Sequence, residues 1–378
     1  MKVLIVPDKF KGSLPSKEVA TALARGWHKG RPGDHIEVIP MSDGGDGFGE
    51  VIASLTAAKK RSAITVNANH EKCSAPWWFK ADTGTAIVES ARTVGLSMLL
   101  PARHHPFALD TRGLGVLLAK IAARGVSRFL IGLGGSATND CGFGMARALG
   151  WEFLDQKRKP LQRWTDLNSL VFLRPPQPRR RFAEMVIASD VQNPLLGPHG
   201  ATRIYGPQKG LSPADIRFAE GAITRLAIVT KDTIGEDFSE RPGAGAAGGL
   251  GFACMAFLGG RAEAGFDLFA KYSNLAKRLR NADLVLTGEG EIDASTAMGK
   301  GAGSLARLCR RAGIPCLGFT GSFDRKACPP DHLFDRVFAL TEITTLGEAK
   351  SHPTSWLEHL AREAAISMND SKSLSVKE

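Results

Sequence analysis

The chain of 378 residues lacks the marks of several common protein classes. No apolar run approaches the roughly 18 residues that a bilayer-spanning helix needs, so no membrane partner is expected. The opening stretch MKVLIVPDKF holds four apolar residues before Pro7, fewer than the apolar region of a secretory leader. The six cysteines form no Cys-x-x-Cys pair, which argues against a zinc site and for reduced thiols in a cytoplasmic protein. There is no P-loop: Gly299-Lys300 ends like one, but Gly301 stands where Ser or Thr belongs. Gly243, Gly245 and Gly248 have dinucleotide-motif spacing, yet EDFSER precedes them where that motif requires an apolar strand. The Asp-Gly-Gly-Asp-Gly of residues 43–47 does not have EF-hand spacing, which excludes that calcium loop.

What is present is an ordinary apolar share of 43%, enough length for two cores, and 42 glycines, well above the usual ~7%. Lysine and arginine outnumber aspartate and glutamate 49 to 38, a net charge of +11 that raises nucleic acid as a partner. The basic runs 157–159, 179–181 and 277–280 carry no interleaved aromatics for base stacking, so the charge is read as a field that attracts small anions. Residues 151–183, basic and rich in proline, are expected to form an irregular surface excursion.

The recurring unit is an apolar strand that runs into a polar, glycine-rich turn and then a helix. KVLIVP at residues 2–7 leads into Asp8, Lys9, Lys11 and Ser13; HIEVIP at 35–40 leads into Asp43 and Asp46. Such continuous apolar strands belong to parallel sheets covered on both faces, whose ligands bind past the strands' C-terminal ends. The stretch FLIGLGGSATND passes from a strand through Gly134 and Gly135 to Ser136 and Asn139 before a helix, a nest of backbone N–H groups suited to phosphate. After the strand 185–188, Asp190 and Asn193 form a compact oxygen pair for Mg²⁺, or Asp190 acts as a base toward a hydroxyl. Lys209, in a Gly-Pro-Gln-Lys-Gly turn, suits a phosphate as a point charge. DLVLT at 283–287 ends in GEGEID, which carries Asp293 ahead of Lys300. Glu89, at the end of AIVES, is read as a structural pairing partner.

PDKFKGS, PMSDGGDG, GLGGSATND, ASDVQNPL with YGPQKG, PGAGAAGGLG and TGEGEID together resemble the bacterial type I glycerate kinases, in order across residues 1–345. The resemblance implies ATP- and Mg²⁺-dependent phosphorylation of D-glycerate to 2-phosphoglycerate. It also implies an α/β fold: a Rossmann-like parallel-sheet domain from residues 1–68 plus 284–378, a second α/β domain inserted at 69–283, and an active site in the cleft between them. Lys11, Asp43 and Asp190 are then the catalytic candidates, with Asp8, Lys9, Ser13, Asp46 and Asp293 toward substrate. Gly134, Gly135, Ser136, Asn139, Lys209 and Lys300 fall to the nucleotide phosphates, and Asp190 and Asn193 to the metal. A homo-oligomer is compatible with this reading. Glu291 stands where the family pattern leads one to expect Arg, which keeps open a kinase for another small hydroxy acid; a catalytically silent nucleotide-binding homologue is the other alternative.

Overall fold

The computed structural model describes residues 1–99, 104–177, 182–297, 301–326, 328 and 333–374. In chain order the strands are β1 (Lys2–Ile5), β2 (His35–Val38), β3 (Lys59–Val66), β4 (Lys72–Lys80), β5 (Thr85–Glu89), β6 (Arg128–Gly132) and β7 (Glu152–Leu154). They continue as β8 (Phe172–Arg174), β9 (Glu184–Ala188), β10 (Arg261–Glu263), β11 (Leu284–Ile292), β12 (Cys316–Phe323) and β13 (Arg336–Ala339).

The chain divides into two compact units, one of Met1–Asp43 with Phe266–Glu378 and one of Gly44–Gly265. One unit is therefore built from both chain ends, but the boundaries differ from the expected 68/69 and 283/284. Strand β3 pairs antiparallel with β4 from Lys59↔Phe79 to Val66↔Lys72, so residues 59–66 belong to the inserted sheet. At the other boundary Asp283 is tied to β1, its N–H donating to the Lys2 carbonyl and its carboxylate accepting from the Lys2 N–H at 2.7 Å.

The unit made of both ends holds a five-stranded sheet in the order β13-β12-β11-β1-β2, parallel throughout. Val3, Leu4 and Ile5 of β1 and Leu284, Val285 and Leu286 of β11 are all buried, as strands covered on both faces must be. From β1 the chain steps to β2 on one side, and it returns to place β11 on the other. The strand order therefore reverses between β1 and β11, and open parallel sheets bind ligands past the strand ends at such a reversal. Helix Ser16–Gly30 packs on helix Pro353–Leu374 at glycines: a Cβ at Gly26 or Gly30 would lie 2.8 or 2.7 Å from the Cβ of Ala361 or Ala365.

The Gly44–Gly265 unit holds a six-stranded sheet ordered β10-β9-β6-β5-β4-β3, parallel from β10 to β5 and antiparallel at β4 and β3. Over the described residues 151–177 the chain is not the irregular excursion expected of 151–183 from composition. Strands β7 and β8 pair antiparallel, and Trp151, Phe153, Leu161, Trp164, Leu167, Leu170 and Leu173 lie buried in the main core. The charged residues occupy the turn between them, where Asp155 accepts the N–H groups of Lys157 and Lys159, each at 2.8 Å. The arginines 179–181 lie outside the described residues. Among the described residues no helix is long and apolar enough to cross a membrane.

Candidate active site

A cavity of about 570 Å³ opens in the unit made of both chain ends, past the C-terminal ends of β1, β11, β12 and β13. Its wall takes Asp8, Lys9, Lys11 and Ser13 from the turn after β1, Asp43 from the segment after β2, and Asp293 from the end of β11. Six of the residues singled out in the sequence are thus brought together by the sheet. Lys9 Nζ donates to Asp43 Oδ1 at 2.9 Å and stands 3.8 Å from Asp8 Oδ1. Asp8 is buried, and its Oδ1 accepts the N–H of Lys9 at 2.7 Å, which fixes the turn that aims the lysine. Asp293 Oδ1 accepts the N–H and hydroxyl of Ser295, both at 2.7 Å, which shapes the next turn.

Glu289 is the residue that the sequence reading passed over. It lies on the same wall, and Thr296 Oγ1 donates to its Oε1 at 2.6 Å. Burial raises its pKa most and the Thr296 hydrogen bond pulls it down. Asp8, Asp293 and Asp43 add repulsion, and the net result is a carboxyl pushed up to about 8. The available signal was a glutamate between two glycines in the otherwise apolar run LVLTGEGEI, at the strand end that faces ligands. Glu291 and Lys350 complete the charged lining.

In the Gly44–Gly265 unit the other candidates follow the C-terminal ends of β6 and β9, which are neighbours in the sheet. Gly134, Gly135, Ser136 and Asn139 lie in the loop after β6. The hydroxyls of Ser136 and Thr138 bond each other at 2.8 Å, and Asn139 Nδ2 donates to Thr202 Oγ1 at 3.1 Å. Asp46 stands beside Gly135, where a side chain would collide with its carboxylate, so Asp43 and Asp46 fall in different units. Glu89 is structural, as its position implied: its carboxylate accepts the N–H groups of Gly47 and Gly49 at 3.0 and 3.2 Å and caps the helix Phe48–Thr56. Asp190 follows β9. Asn193 is engaged at both ends of its amide, donating to the His199 carbonyl and accepting from Tyr205 Oη, each at 2.8 Å.

Lys209 reaches the glycine loop from inside. It is buried, and its Nζ donates to the Thr138 carbonyl at 2.6 Å. Burial lowers its pKa to about 8 despite the nearby Asp140. Asp140, itself raised to about 6 by burial and by Asp110, accepts from Thr111 Oγ1 and the Gly144 N–H and caps the helix Phe143–Ala148. The glycine-rich stretch with dinucleotide-motif spacing packs on this loop. Ala247, Gly248 and Gly249 are left-handed, and the Gly248 carbonyl accepts the Cys141 N–H at 3.1 Å. Lys300 lies outside the described residues.

A parallel sheet whose strand order reverses beside a cavity lined by lysines and carboxylates, in a chain with a second α/β unit inserted, defines a two-unit α/β protein of the class that binds ligands past its strand ends. The sequence pattern of the Glycerate kinase family matches residues 3–369. Glycerate 2-kinase of Escherichia coli K12 is 36% identical over 354 residues, covering 92% of this chain and 93% of that one. Glycerate kinase of Bacillus subtilis 168 is 32% identical over 385 residues, covering 99% of both. The crystal structure of a candidate glycerate kinase 2 from Salmonella typhimurium LT2 superposes with a TM-score of 0.80 at 33% identity, covering 99% of each chain. The chain belongs to the glycerate kinase family and is a phosphotransferase.

Proposed function

We infer that the protein transfers the γ-phosphoryl group of Mg²⁺-bound ATP to D-glycerate and releases 2-phosphoglycerate. The observation that carries this reading is the cavity at the β1–β11 reversal, where lysine ammonium groups and carboxylates line one wall. A small dihydroxy acid asks for that pairing: point charges for its carboxylate, and acceptors for its hydroxyls.

Phosphoryl transfer is mostly positioning and charge neutralisation, so the roles follow from where each group is held. Lys9, oriented by Asp43, and Lys11 take anionic groups, while Asp8, Ser13 and Asp293 shape the acceptor end. In the loop Gly134–Asn139 the N–H groups of Ala137 and Thr138 are spent on the Val94 carbonyl and Ser136 Oγ, so Gly134, Gly135, Ser136 and Asn139 are the positions assigned to phosphate oxygens, with Lys209 bracing the loop through the Thr138 carbonyl. Among the described residues no group of three or more His, Cys, Asp or Glu could hold a metal ion. A Mg²⁺ ion carried by the nucleotide keeps several of its waters and touches one or two carboxylates. We assign Asp190 to it, and leave Asn193, whose amide is engaged at both ends, to fastening the loop.

The test is ADP formation coupled to a reporter, with Mg²⁺ and D-glycerate, and identification of the product. Glycerate-dependent turnover to 2-phosphoglycerate is expected. Turnover to the 3-phosphate refutes the regiochemistry, and ATP binding without turnover refutes the kinase reading.

A further inference from the structure

We propose that Glu289 is the catalytic proton acceptor for the attacking hydroxyl. The assignment rests on the phosphoryl-transfer reading above. Three geometric observations carry it. Glu289 lies on the wall of the cavity at the strand-order reversal, where the acceptor is read to bind. Its two oxygens are differentiated: Oε1 takes the Thr296 hydroxyl at 2.6 Å, while among the described residues Oε2 has no hydrogen-bond partner. Thr296 is itself buried and accepts the Asp293 N–H at 3.3 Å, so the carboxyl is fixed through Oε1 by a group that is itself held. A Cβ built on Gly301, at the start of helix Ala302–Ala312, would lie 3.1 Å from Asp8 Oδ2 and 3.9 Å from Glu289 Oε2, so both carboxylates approach this glycine.

The step balances without a further reactant. As the acceptor oxygen forms its bond to the γ-phosphorus, the bond from that phosphorus to the β,γ-bridging oxygen breaks and its electron pair leaves with ADP. The hydroxyl proton passes to Glu289 Oε2 and is lost to solvent after product release. A base works best when its pKa lies near the working pH, and Glu289 meets that condition because burial and three carboxylates raise it to about 8. The charged and titratable groups that act on it are Asp8 from the turn after β1, Asp43 from the segment after β2, Asp293 from the end of its own strand, and Cys328 from the segment before β13, with Lys9 on the same cavity wall. Lys11, Glu291 and Lys350 stand on the same cavity wall.

A carboxylate that must be ionised to work gives a rate that rises with pH toward about 8 and levels off above it. The wild-type enzyme is therefore expected to show such a limb in kcat/KM for glycerate. In E289Q the amide oxygen keeps the Thr296 hydrogen bond; kcat should fall by about 10²–10⁴-fold, KM should change little, and the limb should vanish. Thr296→Val removes a hydrogen bond that lowers the pKa, so its limb should move to higher pH. That variant decides the matter if E289Q does not fold. An E289Q rate within about threefold of wild type, a limb retained in E289Q, or a limb unmoved in Thr296→Val overturns the assignment while glycerate-dependent turnover persists. A wild-type enzyme with no glycerate-dependent ADP formation at any pH removes the phosphoryl-transfer reading, and this assignment with it.

Discussion

Lys209 makes a prediction about stability whose sign and size can be worked out in advance. Its ammonium is buried against the Thr138 carbonyl, and its pKa falls from 10.5 to about 8 because burial outweighs the attraction of Asp140. Between these two values the unfolded lysine holds a proton that the folded one has released, so stability rises with pH over that window. A gap of 2.5 units, at about 1.4 kcal/mol each, amounts to about 3 kcal/mol. The wild-type curve alone does not isolate it: Cys141 and Cys254, in the same unit as Lys209, are pushed up by burial and oppose the rise once unfolded thiols ionise. The comparison must therefore be with K209M, which keeps the volume and removes the proton. Losing the amine leaves the Thr138 carbonyl unpaired, a penalty of about 1–3 kcal/mol that does not depend on pH. The urea transition of the Gly44–Gly265 unit can be followed by fluorescence of Trp77, Trp78, Trp151 and Trp164, measured from pH 7 to 10.5. The wild-type advantage over K209M should grow by about 3 kcal/mol across that range. A difference that stays flat would mean that the ammonium sees solvent, and the bracing role would fail.

Three other perturbations follow. Asp190→Asn should cut turnover by about 10²-fold or more and raise the Mg²⁺ concentration needed for half-maximal rate, whereas E289Q should leave that Mg²⁺ requirement alone; an unchanged Mg²⁺ dependence removes Asp190 from the metal. Asp34 is held down to about 2: burial opposes ionisation, but hydrogen bonds from Arg31, the N-terminal ammonium and Trp27 outweigh it. Its roughly 2 kcal/mol is fully present above the unfolded value of 3.8 and is lost as pH falls through 2, so Asp34→Asn should lower the urea midpoint at pH 7 and hardly at all at pH 2. Trp164, buried and edge-on to Phe107 at 5.3 Å, should cost about 3–5 kcal/mol as Trp164→Ala and open residues 151–177 to proteolysis; resistance to cleavage would contradict the packed hairpin.

The parallel strands were legible because both faces are buried, and KVLI, RFLIG, EMVIA and the apolar half of β11 have no polar face to confuse the pattern. Their turns were legible for the complementary reason: polar residues at the ligand edge of such a sheet break the apolar run abruptly. Residues 151–183 were misread because lysines, arginines and prolines dominate their composition. What matters there is the spacing of a few large apolar side chains that reach a core made by distant elements. The domain boundary failed similarly, since nothing local in KKRSAITV says that its partner is KCSAPWWFK rather than β2.

Glu289 and Lys209 share a property that composition hides and geometry separates. Each is a charged side chain drawn into the protein, and each has its pKa pushed toward its neutral form by burial. A charge in that position breaks the local rule that charged groups stay in water, and such breaks cluster at functional or strained positions. Which of the two it is depends on where the polar atom points. Lys209 spends its ammonium on a backbone carbonyl of the loop that it crosses, so its removal should register in stability and in the order of that loop. Glu289 has one oxygen fastened by Thr296, and the residue lines a cavity, so its removal should register in the rate and its pH dependence. Exchanging the readouts gives the sharpest check on this distinction. If E289Q mainly destabilises and K209M mainly slows turnover with its alkaline stability curve unchanged, the roles of chemistry and bracing are reversed.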